Sequence, residues 1–147
     1  MYDPRWTVVT GASSGIGQEM ARLAAARGRA LVLVARRADR LESLRAELAG
    51  LGRRVEVAVL DLERPDAAES LMAELDGRGI ELDLLVNNAG FGLRGSFATL
   101  PYGEQIAMVE LNVVTLTRLC GLALPRLLAR GRGGIINLSS VAALKKA

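Results

Sequence analysis

The stretch Thr-Val-Val-Thr-Gly-Ala-Ser-Ser-Gly-Ile-Gly at residues 7–17 decides the fold of this 147-residue chain. It begins inside a short apolar run, Trp6–Thr10, and ends in an amphipathic segment that covers about 15–27. A strand, a glycine-rich turn and a helix in this order are typical of the start of a βαβ unit. We therefore expect a parallel sheet with a ligand loop after its first strand.

Four more short apolar runs follow, and longer periodic segments separate them: Ala30–Ala35, Val55–Leu60, Leu82–Val86 and Gly134–Leu138. They are almost continuously apolar, as strands covered on both faces should be. Helices are expected at about 15–27, 39–50, 65–77 and 101–129. The pattern predicts one α/β domain over residues 1–147, a Rossmann-type doubly wound sheet with strand order 3-2-1-4-5 that ends on its fifth strand.

Local signals add detail to the predicted helices. Gly28 is expected to cap the first helix, and Asp39, with an acid three residues later, to open the second with a capping box. Pro125 is expected to kink or break the fourth helix. The first helix should bury the apolar residues spaced three and four apart: Ile16, Met20, Leu23 and Ala24.

Composition excludes several classes of function. The net charge is only +3, and acids interrupt the 19 basic residues, so a nucleic-acid surface is not expected. The chain has no histidine, which excludes Ser-His-Asp catalysis and the usual zinc sites within it, and no metal is expected. No apolar run reaches the ~18 residues of a membrane span. With Cys120 as the single cysteine and no visible signal peptide, a cytoplasmic location is the expectation.

The glycine-rich turn has the composition of a diphosphate site. Gly11, Gly15 and Gly17 let backbone N–H groups approach an anion, and the helix dipole favours negative charge there. The alternative is a turn whose glycines only let strand and helix pack closely. We expect a cofactor site made by these glycines and their neighbours Ser13, Ser14 and Ile16.

The end of the second strand indicates which dinucleotide is bound. About twenty residues past the glycines, an acid would accept from a free ribose hydroxyl, whereas a base accommodates a 2′-phosphate. This chain has Arg36 and Arg37 there, with no acid until Asp39. Arg36, assisted by Arg37, is predicted to bind the 2′-phosphate, so NADP is favoured over NAD. The alternative is a solvated helix entrance.

Two further motifs, Asn-Asn-Ala-Gly at 87–90 and Gly-Gly-Ile-Ile-Asn-Leu-Ser-Ser at 133–140, complete the pattern. With the turn at 7–17, in this order and spacing, the chain resembles the short-chain dehydrogenase/reductase family. The resemblance implies hydride transfer between NADP(H) and a small carbonyl or alcohol substrate. It also implies roles for residues along the chain: Asp61 and Leu62 at the adenine, Asn88, Ala89 and Gly90 at the adenosine ribose, Asn112 in a proton relay, and Ser140 as a hydrogen-bond donor to the substrate carbonyl.

Structural alternatives exist for two of these positions. Asp61 could cap the turn after its strand, and Asn112 could bond to nearby helix backbone. Asn87, which precedes the residues assigned to the ribose, is expected to tie backbone across strands rather than to touch a cofactor.

In the resembled family a Tyr-x-x-x-Lys pair follows the serine, and it protonates the carbonyl. Here Tyr2 and Tyr102 precede Ser140, while Lys145 and Lys146 follow it too closely. We therefore expect the N-terminal portion of an oxidoreductase, inactive by itself. The alternatives are a non-catalytic nucleotide-binding module that acts through partners, and a vestigial product with little stable fold.

The resemblance also bears on association. An intact relative is expected to be a homo-oligomer. In this chain an unprotected fifth strand and exposed apolar positions on the fourth helix could instead cause aggregation. The positions expected to be exposed are Leu116, Leu119 and Leu127.

Overall fold

Five parallel strands form the centre of the molecule in a computed structural model that describes residues 5–140. The strands are β1 (Trp6–Thr10), β2 (Ala30–Ala35), β3 (Val55–Val59), β4 (Leu82–Asn87) and β5 (Gly134–Asn137). Their order in the sheet is β3-β2-β1-β4-β5, which confirms the predicted topology. The three strands that lie inside the sheet are almost entirely buried, which explains why their sequences are continuously apolar.

Helices cover both faces of the sheet: α1 (Gly15–Ala26), α2 (Ala38–Gly50), α3 (Ala67–Gly77), α4 (Tyr102–Val109) and α5 (Leu116–Arg130). A π-helical segment, Glu110–Thr115, joins the last two. Successive residues of β1 point to opposite faces, so Val8 packs in the core beneath α3 and α5, whereas Val9 packs in the core beneath α1 and α2. This arrangement leaves the carboxyl ends of the strands open.

Helix α1 buries a narrower face than its apolar pattern predicts. Ala24 is buried and Met20 half-buried, but Ile16 and Leu23 are 64% and 52% exposed, so that part of the prediction is wrong. The buried face consists of small residues, Gly17, Ala21, Ala24 and Ala25, which let the helix lie close to the sheet. The predicted cap is confirmed, because Gly28 has a φ of +77° and its N–H donates to the carbonyl of Ala25 at 2.9 Å.

Helix α2 does not begin with the expected capping box. Arg37 is the N-cap residue, and Asp39 already lies in the first turn, where its charge complements the helix dipole. The reason is the short connection: only Arg36 and Arg37 separate β2 from the helix, so the chain enters the helix before Asp39.

The long helical region from Tyr102 to Arg130 does not end at Pro125, which lies inside α5. Its irregularity is the π-helical segment. By length and composition the region could cross a membrane, but core helices of soluble proteins can have the same length and composition. Here α5 packs on α3, β4 and β5. Leu119 and Leu127 are buried, contrary to the prediction, because they face this core. Leu116 is half-buried, and the large apolar residues of α5 that are exposed are Leu124 and Leu128.

Candidate cofactor site

A cleft of about 860 Å³ lies at the carboxyl ends of the strands, where parallel sheets bind ligands. Segments that follow all five strands contribute to it, together with residues of the last helical region. Most predicted site residues line it: Gly11, Ser13, Ser14, Ile16, Arg36, Arg37, Asp61, Leu62, Asn88, Ala89, Gly90, Asn112 and Ser140. The cleft has the size of a ligand site rather than of a packing defect.

Gly15 and Gly17 do not line the cleft. A Cβ on Gly17 would collide with the carbonyl oxygen of Gly11 and with the side-chain amide of Asn88. Gly17 therefore permits the close approach of α1 to the turn, which is the packing role that the sequence left open. Gly11 does line the cleft, and its φ of +65° is one that residues with a side chain rarely adopt.

The N-terminus of α1 is arranged to receive an anion. Ser14 is its N-cap residue but makes no side-chain hydrogen bond to the first turn, and that turn contains no acidic residue. The helix dipole and the N–H groups of this turn are thus available to a phosphate, which supports the predicted diphosphate position.

Asn88 locks the segment after β4 to the end of β1. Its side-chain amide donates to the carbonyls of Thr10 at 3.0 Å and Gly11 at 3.2 Å. The backbone N–H groups of Asn88 and Ala89 both donate to the Thr10 hydroxyl at 3.0 Å. The side-chain nitrogen of Asn88 already donates hydrogen bonds to two backbone carbonyls. Asn88 therefore fixes the shape of this part of the cleft, independently of any contact that it makes with a ribose.

Asn87 contacts side chains rather than backbone. Its amide nitrogen lies 2.9 Å from Oδ1 of Asn137 on β5 and 3.3 Å from the sulfur of Cys120 on α5. Asn87 thereby joins β4 to β5 and to the helix above them, but through side chains, so the predicted tie to backbone is wrong. It does not line the cleft.

The two arginines after β2 make different contacts. Arg36 is 63% exposed, and its Nη1 lies 2.9 Å from a carboxylate oxygen of Glu63, which follows β3. Arg37 instead donates to the hydroxyls of Ser13 at 2.9 Å and Ser14 at 2.8 Å. Arg37 therefore connects the end of β2 to the glycine-rich turn.

Asp61 adopts the turn-capping alternative. Its carboxylate accepts a hydrogen bond of 3.1 Å from the backbone N–H of Glu63, an arrangement that shapes the chain as it leaves β3. The same carboxylate lies 4.0 Å from Nη1 of Arg36. Both acids line the cleft beside Leu62.

Asn112 lies in the π-helical segment and reaches across to the loop after β4. Its Oδ1 accepts from the N–H of Phe91 at 3.1 Å, and its Nδ2 donates to the Phe91 carbonyl at 2.8 Å. The alternative of a bond to nearby helix backbone is thus wrong. The side chain clamps one wall of the cleft.

Ser140 is exposed and lines the cleft beside Ser139 and Leu138. Among residues 5–140 the only tyrosine is Tyr102, which is 77% exposed and does not line the cleft. Tyr2, Lys145 and Lys146 lie outside the described residues. Over residues 5–140, no group of three or more acidic or cysteine side chains could hold a metal ion.

Sequence reasoning missed several residues of the cleft, of which Glu63 and Phe91 matter most. Phe91 directly follows the predicted motif at 87–90, and Glu63 is the second residue after Asp61. The sequence signal that could have identified both residues is their position shortly after a predicted strand, because every segment that leaves the carboxyl edge of this sheet reaches the cleft.

Comparison with known proteins identifies the family. Residues 5–147 match the short chain dehydrogenase family. The chain belongs to that family.

Curated relatives include a very-long-chain 3-oxoacyl-CoA reductase of Mycosarcoma maydis, which is 34% identical over 141 residues. That alignment covers 93% of this chain and 40% of the reductase. An uncharacterized oxidoreductase of Myxococcus xanthus is also 34% identical, with coverage of 96% and 56%. The chain thus spans about half the length of the curated short-chain dehydrogenases it matches.

Solved structures of the family resemble this fold closely. The short-chain dehydrogenase of Sphingobium yanoikuyae in complex with NADPH is 37% identical, with a TM-score of 0.88 and coverage of 95% of this chain and 55% of that one. A metagenomic short-chain oxidoreductase in complex with NADP is 35% identical, with a TM-score of 0.88 and coverage of 97% and 65%. The family is therefore one of oxidoreductases with a nicotinamide-cofactor fold.

Proposed function

We propose that this chain binds NADP(H) in the cleft and forms the cofactor-binding portion of an oxidoreductase that interconverts a carbonyl and an alcohol. The observation that carries the proposal is the placement of Arg36 and Arg37 on the same cleft as Gly11 and the uncapped N-terminus of α1. A dinucleotide with a 2′-phosphate has anionic groups for both places.

Each part of the cleft then has a role. The turn from Gly11 to Gly17 would hold the diphosphate, Arg36 and Arg37 the 2′-phosphate, Asp61 and Leu62 the adenine, and residues 88–90 the adenosine ribose. Asn112 would hold the wall beside the reacting end, and Ser140 would donate a hydrogen bond to the substrate carbonyl. When bound, NADPH supplies the hydride.

The relatives support this cofactor. NADP or NADPH is bound in the short-chain dehydrogenase structures from Sphingobium yanoikuyae and the metagenomic source, and an alcohol dehydrogenase of Thermococcus sibiricus, 32% identical, was solved with 5-hydroxy-NADP. The single cysteine in the described part of the chain, Cys120, is free, which is consistent with a reducing compartment, and we extend the proposal to the cytoplasm.

We further propose that the 147-residue chain binds the cofactor without turning it over. Carbonyl reduction needs a group that delivers a proton to the developing alkoxide, and neither tyrosine nor lysine lines the described cleft. Loss of a positioned general acid typically slows such a reaction by about 10²–10⁴-fold. The same observation favours the second candidate, a non-catalytic module that binds NADP(H) and acts through partners.

Calorimetric titration with NADP and NAD tests the binding proposal. Arg36→Asp should weaken NADP binding by about 1–3 kcal/mol, the range for a charge-assisted hydrogen bond, and should not weaken NAD binding, because an acid at this position can accept from the free ribose hydroxyl. Arg45→Asp is the matched control, because Arg45 is also an exposed arginine paired with a glutamate, but on α2 away from the cleft. Equal affinity of the parent chain for both cofactors would contradict the assignment.

An NADPH oxidation assay with small ketones separates the two candidates. The chain should bind NADPH without turnover, and a chimera extended by the C-terminal half of the Sphingobium relative should oxidise it. Turnover by the 147-residue chain would show that a proton donor is present after all. A folded chimera that binds NADPH but stays inactive would favour the non-catalytic module.

A further inference from the structure

Two carboxylates lie beside Arg36 in the cleft. The Glu63 carboxylate is 2.9 Å from Arg36 Nη1, and the Asp61 carboxylate is 4.0 Å from the same atom. The hydrogen bond from the Glu63 N–H to Asp61 fixes the turn that presents both acids. In the structure, the positive charge of Arg36 is therefore offset before any ligand arrives.

Arg37 provides a contrast on the same loop. Its hydrogen bonds within the described residues go to Ser13 and Ser14, whose hydroxyls are neutral. Its charge is not offset by a carboxylate in this part of the chain. An anion that enters between β2 and the glycine-rich turn would meet the full charge of Arg37 but a neutralised Arg36.

We propose that Glu63 is a specificity-determining residue, which competes with the 2′-phosphate of NADP for Arg36 and so limits the preference for NADP over NAD. This inference rests on the proposed function, because it requires NADP in the cleft. A 2′-phosphate on Arg36 must displace Glu63 or lie beside its carboxylate, and either event weakens binding. NAD carries a neutral 2′-hydroxyl and meets neither obstacle.

The opposite role would be a positioning one, in which Glu63 orients Arg36 for the phosphate. The number of negative charges around Arg36 and the exposure of its ion pair with Glu63 argue against this role. With the phosphate bound, three anionic groups would surround one guanidinium, and Glu63 would add repulsion. The ion pair is also exposed, with 63% of Arg36 and 30% of Glu63 accessible, and such pairs fix a side chain only weakly.

Titration of Glu63→Gln with NADP and with NAD tests the competition. The substitution should tighten NADP binding by about twofold to fivefold, the range that exposed ion pairs give, and leave NAD binding unchanged. Glu63→Ala should also tighten NADP binding. It lacks the amide oxygen that the Glu63→Gln variant retains and that could still accept a hydrogen bond from Arg36. The gain should shrink in about 1 M salt, where charges several ångströms apart are screened.

Glu42→Gln is the matched control, since it removes an equal charge from an exposed ion pair on α2. Unchanged or weaker NADP binding in both Glu63 variants would overturn the inference, and so would an equal gain for NAD. Failure of the proposed function looks different: the parent chain would then bind no NADP at all, or bind NADP and NAD equally. A parent chain that prefers NADP, with Glu63 variants that do not differ from it, would refute only the role of Glu63.

Discussion

Asn112→Ala should destabilise the fold by about 2 kcal/mol, because Asn112 clamps the loop after β4. Its amide makes two hydrogen bonds to Phe91, at 3.1 Å and 2.8 Å, from a half-buried position. Each such bond contributes about 1 kcal/mol, and the substitution leaves both Phe91 backbone groups to find other partners. Urea unfolding, followed by circular dichroism, measures the loss.

Gly90 provides an independent test of the same clamp. A Cβ on Gly90 would lie 2.7 Å from Oδ1 of Asn112, and its three nearest neighbours among the described residues are all atoms of that side chain. Gly90→Ala should therefore cost about 1–3 kcal/mol through overpacking. In the Asn112→Ala background the obstacle is gone, so the double variant should be about as stable as Asn112→Ala alone. This non-additivity is the signature of direct contact.

Val113→Ala is the matched control, because Val113 lies on the same π-helical segment but is exposed. It should change stability by less than about 0.5 kcal/mol, as surface substitutions usually do. The reasoning is refuted if Asn112→Ala is no more destabilising than Val113→Ala, or if the costs of Gly90→Ala and Asn112→Ala simply add.

Two further predictions concern ion pairs far from the cleft. The buried carboxylate of Asp83 lies 2.6 Å from Arg29 and 2.9 Å from Arg132. Asp83→Asn should lower the free energy of unfolding by about 3 kcal/mol, at the low end for a broken buried pair because both arginines are partly exposed to solvent. Urea unfolding compares this variant with Glu69→Gln on the exposed face of α3, and equal midpoints of the two variants would contradict the prediction. On the surface, hydrogen bonds from Arg126 hold the pKa of Asp76 below its ordinary 3.8. The ion pair therefore stabilises the fold fully above the ordinary pKa, and this stabilisation is lost as the pH falls through the lowered pKa. The difference in melting temperature between the parent and Asp76→Asn should shrink as the pH is lowered from neutral. A difference that stays constant would show that Asp76 acts by other means.

The fold was largely predictable because the strands carry their own signature. Each strand was placed within one residue of its observed end. For the three inner strands the signal was a nearly continuous apolar run, as burial on both faces favours, whereas the edge strands β3 and β5 are only partly buried. Helix burial was less predictable, as Ile16 and Leu23 show. The three-and-four spacing does not say how closely a helix approaches the sheet, and here alanines and Gly17 set that distance.

The positions of the site residues followed from the strand ends, but their contacts did not. The sequence places Asn112 inside a helix, and nothing local indicates a π-helical turn that directs its amide to Phe91. That geometry depends on Gly90, which is separated from Asn112 by a loop and by helix α4 and is compatible with the contact only because it lacks a side chain. A bond made between two distant segments leaves no periodic trace in either of them.

Charge in the cleft is the clearest case of this limit. Arg36 alone predicts a preference for a 2′-phosphate, yet its closest carboxylate belongs to Glu63, 27 residues away and in the segment that follows the next strand of the sheet. Parallel pairing of β2 with β3 brings their carboxyl ends together, so the potential that a ligand meets is a sum over neighbouring strand ends. Under the proposed binding of NADP(H), we therefore expect the acids that follow β3 to influence cofactor preference together with the bases that follow β2, so a substitution after either strand should shift it.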